Sequence, residues 1–140
     1  MIKFMDNEAK HKNTKIKIAR WIFIVLLICI GCLSYWVFFD ENPFLKSTSP
    51  NRSNLVKITE YGNGFLFGPK NIKVYFKDAQ GNTIKEEKVR VANIMEPNNK
   101  SLYDITWKDE NQVKITMNYE GETKTLTYNF NTKRMKVSTK

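Results

Sequence analysis

An uncharged apolar segment of nineteen residues, Trp21–Phe39, sets the first limit on what this chain can form. As a helix it is about 28 Å long, close to the roughly 30 Å hydrocarbon core of a bilayer. Aromatic residues stand at both of its ends, as in the interfacial belts of membrane-spanning helices. The segment therefore predicts a transmembrane helix that separates a basic tail, residues 1–20, from a polar C-terminal part.

The segment has two other interpretations. A cleaved secretory signal has a shorter apolar region followed by small residues, whereas this segment ends in bulky aromatic side chains. A lipoprotein signal is the second alternative, because Gly31-Cys32 has the form of the end of a lipobox and Cys32 would carry the lipid. However, Cys29 stands where a lipobox prefers leucine, and the apolar run continues for seven residues after Cys32. A permanent anchor is therefore favoured, with lipidation at Cys32 as the alternative.

The two cysteines are three residues apart and share one helix face. Palmitoylation and an intermolecular disulfide are functional interpretations of Cys29 and Cys32. The simpler one is that cysteine serves here as a small apolar residue.

Charge asymmetry around the apolar segment gives it a direction. The tail contains six basic residues: Lys3, Lys10, Lys12, Lys15, Lys17 and Arg20. The other flank begins with Asp40 and Glu41 and has only three basic residues over residues 40–60. The positive-inside rule then predicts a single-pass protein of the cell membrane, with a cytoplasmic N-terminus and an extracytoplasmic C-terminal domain.

The formal net charge of +9 is shared by the tail and the C-terminal part. After the apolar segment, acidic residues are interleaved with the basic ones, and no basic run of the kind that nucleic-acid-binding proteins carry is present. We therefore expect no nucleic acid among the partners. The expected partners are the lipid bilayer and a membrane protein, a surface protein or a wall polymer. Abundant Asn, Lys and Ile are typical of proteins from AT-rich bacterial genomes.

Residues 40–54 have the composition of a linker, with Pro43, Pro50 and a Ser/Thr/Asn cluster. Within this predicted linker, Phe44-Leu45 is expected either at the membrane surface or as the first apolar contact with the following domain.

Alternating apolar and polar residues dominate from Leu55 onward and predict strands. Short turns separate them, and no long stretch has helical periodicity. The predicted strands are Leu55–Tyr61, Asn71–Lys77, Thr83–Ile94, Leu102–Trp107, Val113–Tyr119, Thr123–Phe130 and Met135–Val137. The sequence therefore predicts an all-β domain over residues 55–140, a small antiparallel meander that forms a sandwich or an open barrel. Its predicted core is Val56, Ile58, Ile72, Val74, Phe76, Val89, Val91, Ile105, Trp107, Val113, Ile115, Met117, Leu126, Tyr128 and Phe130.

Most catalytic and metal-binding chemistry lacks its residues in this domain. The one histidine, His11, lies in the tail, and both cysteines lie in the apolar segment. Histidine-dependent nucleophilic catalysis and His/Cys zinc sites are therefore not expected in the domain. A calcium site at Asp104, Asp109 and Glu110 is conceivable, but solvated turn residues are the simpler interpretation. The sequence predicts no enzyme activity, no catalytic residue, no cofactor and no metal.

The segment Tyr61–Pro69 combines three aromatic residues with three glycines. In one interpretation, Tyr61, Phe65 and Phe67 form a loop that contacts a partner or the membrane surface. In the other, Phe65 and Phe67 complete the core of a bulged strand, with glycines at the turns.

Several segments together resemble a domain-of-unknown-function family of small single-pass membrane proteins from low-GC Gram-positive bacteria. They are Phe39-Asp40, Thr48-Ser49-Pro50-Asn51, Leu55–Glu60, Phe67-Gly68-Pro69 and Tyr103–Asn111. The family usually has Ser-Pro-Asp-Gly-Lys at the first turn, where this chain has Asn51-Arg52-Ser53. The resemblance implies an anchored outer β-domain and assigns no functional residue.

Two functions agree with these features. The first is a binding module for a protein or a cell-envelope component, presented outside the membrane by the anchor. The alternative is an accessory subunit of a membrane protein complex, in which the transmembrane helix selects the partner.

Overall fold

One long helix precedes an all-β domain, as the sequence predicts. The computed structural model describes residues 2–62, 71–91 and 98–140, with side-chain surroundings from residue 13 onward. A 3₁₀ turn, Lys100–Leu102, precedes the fifth strand. The elements in chain order are α1 (Ile2–Phe39), β1 (Glu41–Thr48), β2 (Asn54–Tyr61), β3 (Asn71–Asp78), β4 (Thr83–Arg90), β5 (Tyr103–Trp107), β6 (Gln112–Tyr119), β7 (Glu122–Asn129) and β8 (Arg134–Thr139).

Helix α1 includes the tail as well as the apolar segment. The tail contains neither Pro nor Gly, and most of its residues tolerate a helix, so nothing stops the helix before Trp21. Its part Asn13–Phe39 is long and apolar enough to cross a membrane, and none of it is buried. Helix α1 and the β-domain are separate compact units.

The eight strands form two antiparallel four-stranded sheets, each in chain order, β1–β4 and β5–β8. The buried faces of the two sheets share one core. The ring of Phe76 in β3 lies 4.2 Å from that of Tyr128 in β7, and the Trp107 indole in β5 donates to Ser47 Oγ in β1 at 3.0 Å. The domain is therefore a two-layered sandwich, one of the architectures that the sequence predicts.

Residue type explains where several hairpins turn. Gly81, between β3 and β4, and Gly121, between β6 and β7, have φ angles of +86° and +79°. Such angles place a Cβ close to the following carbonyl in any other L-residue, so glycine is favoured there.

The predicted core is largely confirmed. Thirteen of its fifteen residues are buried, and the other two, Ile105 and Trp107, are partly buried against the core. Both lie on β5, which is an edge strand of its sheet and has a neighbour on one side only. Tyr103 and Tyr119 are buried as well, and their hydroxyl oxygens lie 3.1 Å apart.

The predicted linker is wrong for most of its length, because Glu41–Thr48 is strand β1. Pro43 suits this position, since an edge strand leaves some of its N–H groups unpaired. The pairing register shifts between Pro43 and Leu45, and this irregularity obscures the alternation from which a strand is predicted. Phe44 and Leu45 pack against the core, which confirms the second of the two positions expected for them. The domain therefore begins at Glu41 rather than at Leu55, and only Asp40 separates it from α1.

The second strand of each sheet contains the same four residues, Val-Lys-Ile-Thr, at 56–59 in β2 and at 113–116 in β6. The valine and isoleucine of both copies are 0% exposed. The threonines differ: Thr59 is buried on the outward side of its sheet, whereas Thr116 is partly exposed. Something therefore covers the outward side of β2 that has no counterpart on β6.

Candidate functional site

The outward side of the first sheet carries eight charged side chains, twice as many as the outward side of the second sheet. Its residues alternate with the buried ones along β2 and β3, and the register extends the pattern to β1 and β4. We call this surface the lysine face. It has six basic side chains, two carboxylates and two tyrosines: Lys46, Lys57, Lys73, Lys77, Lys88, Arg90, Glu41, Glu86, Tyr61 and Tyr75.

A hydrogen-bonded cluster around Glu41 covers Thr59. One carboxylate oxygen of Glu41 accepts from Lys73 Nζ. The other accepts from the Tyr75 hydroxyl at 2.8 Å and from Thr59 Oγ1 at 3.4 Å. Lys73 Nζ also lies 5.0 Å from the centre of the Tyr61 ring, a cation–π distance. The cluster ties the first residue of β1 to the middle of β2 and β3.

The environment of the cluster keeps its ions charged. Burial opposes ionisation of Glu41, but the hydrogen bonds from Lys73 and Tyr75 outweigh it, so the pKa of Glu41 is lowered. The hydrogen bond to Glu41 raises the pKa of Lys73. Burial, and then the hydrogen bond to Glu41, raises the pKa of Tyr75.

These directions argue against chemistry at the cluster. A lysine that acts as a base or nucleophile needs a lowered pKa, because only the neutral amine has a free electron pair. Lys73 is shifted the other way, and Tyr75 is held more firmly in its neutral form. The cluster is therefore suited to holding β1 in place rather than to reacting with a substrate.

Five other basic residues of the lysine face remain without an ion pair among the described parts of the chain: Lys46, Lys57, Lys77, Lys88 and Arg90. Lys46 is directly opposite Lys57 in the β1–β2 register, and Lys73 is directly opposite Lys88 in the β3–β4 register. Like charges directly opposite each other destabilise a sheet. Lys73 is paired with Glu41, whereas no carboxylate within residues 2–62, 71–91 and 98–140 forms an ion pair with Lys46 or Lys57 to offset this cost.

The outward side of the second sheet has a different chemistry. Hydroxyl and amide side chains dominate it, and adjacent strands place them side by side, as in the pair Thr116 and Thr125. Asp104, Lys114, Arg134 and Lys136 are the charged residues at its outward strand positions. We call this surface the hydroxyl face. It offers many hydrogen-bonding groups but much less charge than the lysine face.

The aromatic residues singled out from the sequence are placed only in part. Tyr61 ends β2 and lies on the lysine face, partly buried and close to Lys73. Phe65 and Phe67 lie outside the described residues. Neither interpretation of that segment is tested for them.

Asp104, Asp109 and Glu110, the candidate calcium ligands, lie on exposed turn and strand positions. Asp109 Oδ1 accepts from the backbone N–H groups of Asn111 and Gln112, at 2.8 and 2.7 Å, and so closes a turn. Asp104 Oδ2 accepts from Thr106 Oγ1 at 3.1 Å. Within the ranges 2–62, 71–91 and 98–140, no three His, Cys, Asp or Glu side chains are grouped so that they could hold a metal ion.

Cys29 and Cys32 are exposed thiols on α1. The helix continues without interruption through Cys32 to Phe39, and lipidation at Cys32 stays an untested alternative.

Sequence reasoning missed the Glu41 cluster. Glu41 and Lys73 are 32 residues apart, and Glu41 lay within the predicted linker. The alternation of Lys73 and Tyr75 with buried residues did indicate an outward face. Which carboxylate would lie across from them depends on the order of the strands, which no local pattern contains.

Comparisons of the chain with protein family models, with curated proteins and with solved structures gave no match. The resemblance to a family of small single-pass membrane proteins therefore stays a prediction.

Proposed function

We propose that this chain is a single-pass membrane protein that presents its β-sandwich outside the cytoplasmic membrane as a non-enzymatic binding module. The observation that carries the proposal is the short covalent connection between helix α1 and the β-sandwich. A helix of membrane-spanning length is connected through one residue, Asp40, to a sandwich with its own core. The basic tail supports a cytoplasmic N-terminus.

The chemistry of the domain supports binding rather than catalysis. In the cluster on the lysine face, the pKa of Glu41 is lowered and that of Lys73 is raised. Both shifts stabilise the charged forms, so Lys73 is not activated as a base or nucleophile. Both outward faces are polar, and such faces suit recognition by charge and hydrogen bonds. The partner in this proposal is a protein or another component of the cell envelope.

Topology is tested with single cysteines in a variant whose Cys29 and Cys32 are replaced by Ser. The domain has no cysteine of its own, so Ser138→Cys on exposed β8 reports the side of the domain. Lys15→Cys reports the tail. We expect a membrane-impermeant thiol reagent to label Ser138→Cys in intact cells, and Lys15→Cys only after permeabilisation. Labelling in the reverse order would refute the proposed orientation.

Binding is tested by photo-crosslinking in intact cells. A photoreactive amino acid is placed at Thr48 on the lysine face, at Thr127 on the hydroxyl face and, in a third protein, at exposed Leu33 in α1. A defined adduct from Thr48 or Thr127 supports a binding module and identifies the face it uses. Adducts from Leu33 alone would instead favour the accessory subunit.

The accessory-subunit alternative has one observation in its favour. Gly31 lies within the apolar span of α1, and among the residues that the structure describes a methyl group added there would meet nothing within 4 Å. A second helix could therefore approach closely at this point. Replacing α1 by an unrelated membrane helix distinguishes the two functions, because it abolishes co-purification with a membrane partner only if α1 selects that partner.

A further inference from the structure

We propose that the lysine face binds anionic phospholipid headgroups at the surface of the membrane that holds the chain. This inference rests on the proposed function, since it assumes that α1 spans that membrane. It names the component of the envelope that one particular face of the domain binds.

The lysine face has an excess of uncompensated positive charge. Six basic side chains and two carboxylates occupy it, and Glu41 is already paired with Lys73. Lys46 and Lys88 are exposed and have no ion pair among the residues that the structure describes. A basic surface of this kind attracts anionic lipid, by about fivefold in the binding equilibrium for each Lys or Arg near the headgroups.

The positive charge of the lysine face also lowers the stability of the sheet. Lys46 and Lys57 are directly opposite each other on neighbouring strands, an arrangement that destabilises a sheet. A layer of phosphates over the face would screen both charges at once. The arrangement is therefore unfavourable in the free domain and becomes favourable against a polyanion.

The short connection between α1 and β1 favours the lipid bilayer over other polyanions as the partner of the lysine face. Phe39 ends the apolar helix, and Glu41 is both the first residue of the sandwich and a member of the lysine face. Two residues of chain span at most about 7 Å. When α1 spans the membrane, the first polyanion within reach of the domain is therefore the headgroup layer. A wall polymer is the competing partner, and it enters the test as an outcome.

The test uses the full chain in lipid nanodiscs, with Cys29 and Cys32 replaced by Ser. One fluorescent label is attached at Thr48→Cys on the lysine face, and in a second protein at Thr106→Cys on the hydroxyl face. Both positions are exposed and uncharged, so the labelling leaves the charge of each face unchanged. A quencher attached to lipid headgroups reports which label is close to the membrane surface.

We expect quenching at Thr48 to increase when anionic lipid replaces part of the zwitterionic lipid, and quenching at Thr106 to stay the same. Salt should reverse the effect, because raising it from about 0.1 M to about 1 M shortens the screening length from about 10 Å to about 3 Å. Lys46→Glu with Lys88→Glu should lower the ratio of docked to undocked domain by at least about 25-fold.

The matched control is Lys114→Glu with Lys136→Glu, which changes the net charge equally but on the hydroxyl face. It should leave quenching at Thr48 unchanged. Lys46→Glu also turns a repulsive cross-strand pair into an attractive one, so the melting temperature of the lysine-face variant should not fall. Loss of docking in that variant would then reflect binding rather than unfolding.

Three results would overturn the inference. One is equal quenching at Thr48 in zwitterionic and anionic discs. Another is an equal effect of the two charge reversals. The third is binding of soluble inorganic polyphosphate, seen as a rise in the fluorescence anisotropy of the Thr48 label, without any added quenching in anionic discs, which would assign the face to a polymer. Failure of the proposed function is recognised separately. If the thiol-labelling experiment in cells finds the domain on the cytoplasmic side, the proposed orientation is refuted whatever the lipid experiment shows.

Discussion

At the scale of single residues, hydrogen-bonded polar side chains connect strands within each sheet. The side chain of Glu41 is 29% exposed and that of Lys73 is 17% exposed, so their ion pair is only partly shielded from water. The two hydrogen bonds from Lys73 and Tyr75 fix the geometry of the carboxylate. Because Glu41 is the first residue of an edge strand, losing it should loosen β1 before the rest of the sheet.

Glu41→Gln should lower the free energy of unfolding by about 1 kcal/mol at neutral pH, since a partly exposed charged hydrogen bond is lost. The lowered pKa of Glu41 means that its contribution is present above the ordinary value of 4.5 and is lost as the pH falls through the folded-state pKa. The raised pKa of Lys73 means that its contribution is lost only as the pH rises through a value above the ordinary 10.5.

Denaturant unfolding of the full chain in detergent, at neutral and acidic pH, measures this effect. The difference between wild type and Glu41→Gln should shrink in acid. Glu120→Gln is the control, because Glu120 lies in an exposed turn and should change little. A constant difference at all pH values would mean that the carboxylate charge does not matter.

The buried tyrosine pair allows a second comparison. The Tyr103 hydroxyl donates to Asn98 Oδ1 at 2.9 Å, which leaves Tyr119 as the donor toward Tyr103. Burial raises the pKa of both hydroxyls, so both remain neutral.

Tyr103→Phe removes both hydrogen bonds and leaves the buried Tyr119 hydroxyl without its acceptor, so it should cost about 2 kcal/mol. Tyr119→Phe keeps the bond to Asn98 and should cost about 1 kcal/mol. Thermal unfolding of the two variants ranks them. The opposite order would show that Tyr119 is satisfied elsewhere.

At the scale of elements, turns of specific geometry set the register of the hairpins. Gly121 has a positive φ in the two-residue connection of β6 to β7, where Tyr119 pairs with Glu122. A Cβ at Gly121 would meet no atom within 4 Å, so any cost of a substitution comes from the backbone angle and not from a clash.

Gly121→Ala should therefore cost about 1 to 2 kcal/mol, the price of a left-handed angle in an ordinary residue. Gly121→Asn should cost less, since Asn tolerates this region. Equal losses for Ala and Asn in denaturant unfolding would point to a cause other than φ.

The strands also show why sequence patterns succeed or fail. Strands β2, β3, β6 and β7 alternate regularly, and their predicted positions agree with the structure to within a residue or two at each end. Strand β1 was missed, because Pro43 and the register shift after it interrupt the alternation. The Glu41 cluster was missed for a different reason: it requires knowing that β1 pairs with β2, which depends on the whole sheet.

At the scale of the whole molecule, the β-domain begins at Glu41, close to the end of α1, and not at Leu55 as the sequence predicts. Among the residues that the structure describes, those of the core all belong to the β-domain, so the domain should fold without α1. Strand β1 belongs to it, since Ser47 accepts the hydrogen bond from Trp107 and Phe44 packs edge-on against Tyr103 at 5.3 Å.

A fragment of residues 40–140 should therefore unfold cooperatively, whereas a fragment of residues 55–140 should not. The shorter one lacks β1 and exposes apolar surface on β2 and β5. Circular dichroism and the fluorescence of Trp107 during denaturant unfolding compare the two. Cooperative unfolding of the shorter fragment would show that β1 is dispensable and that a domain starting at Leu55 folds by itself.

The single residue between α1 and β1 also determines how tension would reach the domain. When an outer partner holds the sandwich while the membrane pulls on α1, the load enters at Glu41. The pairing of Glu41 with Tyr61 is then the first backbone pair of the sheet to bear the load. Glu41 is also the residue that Lys73 and Tyr75 hold. The hydrogen bonds of the Glu41 cluster therefore resist separation of β1 from β2 at the loaded end of the strand. Glu41→Gln should lower the force at which this separation starts.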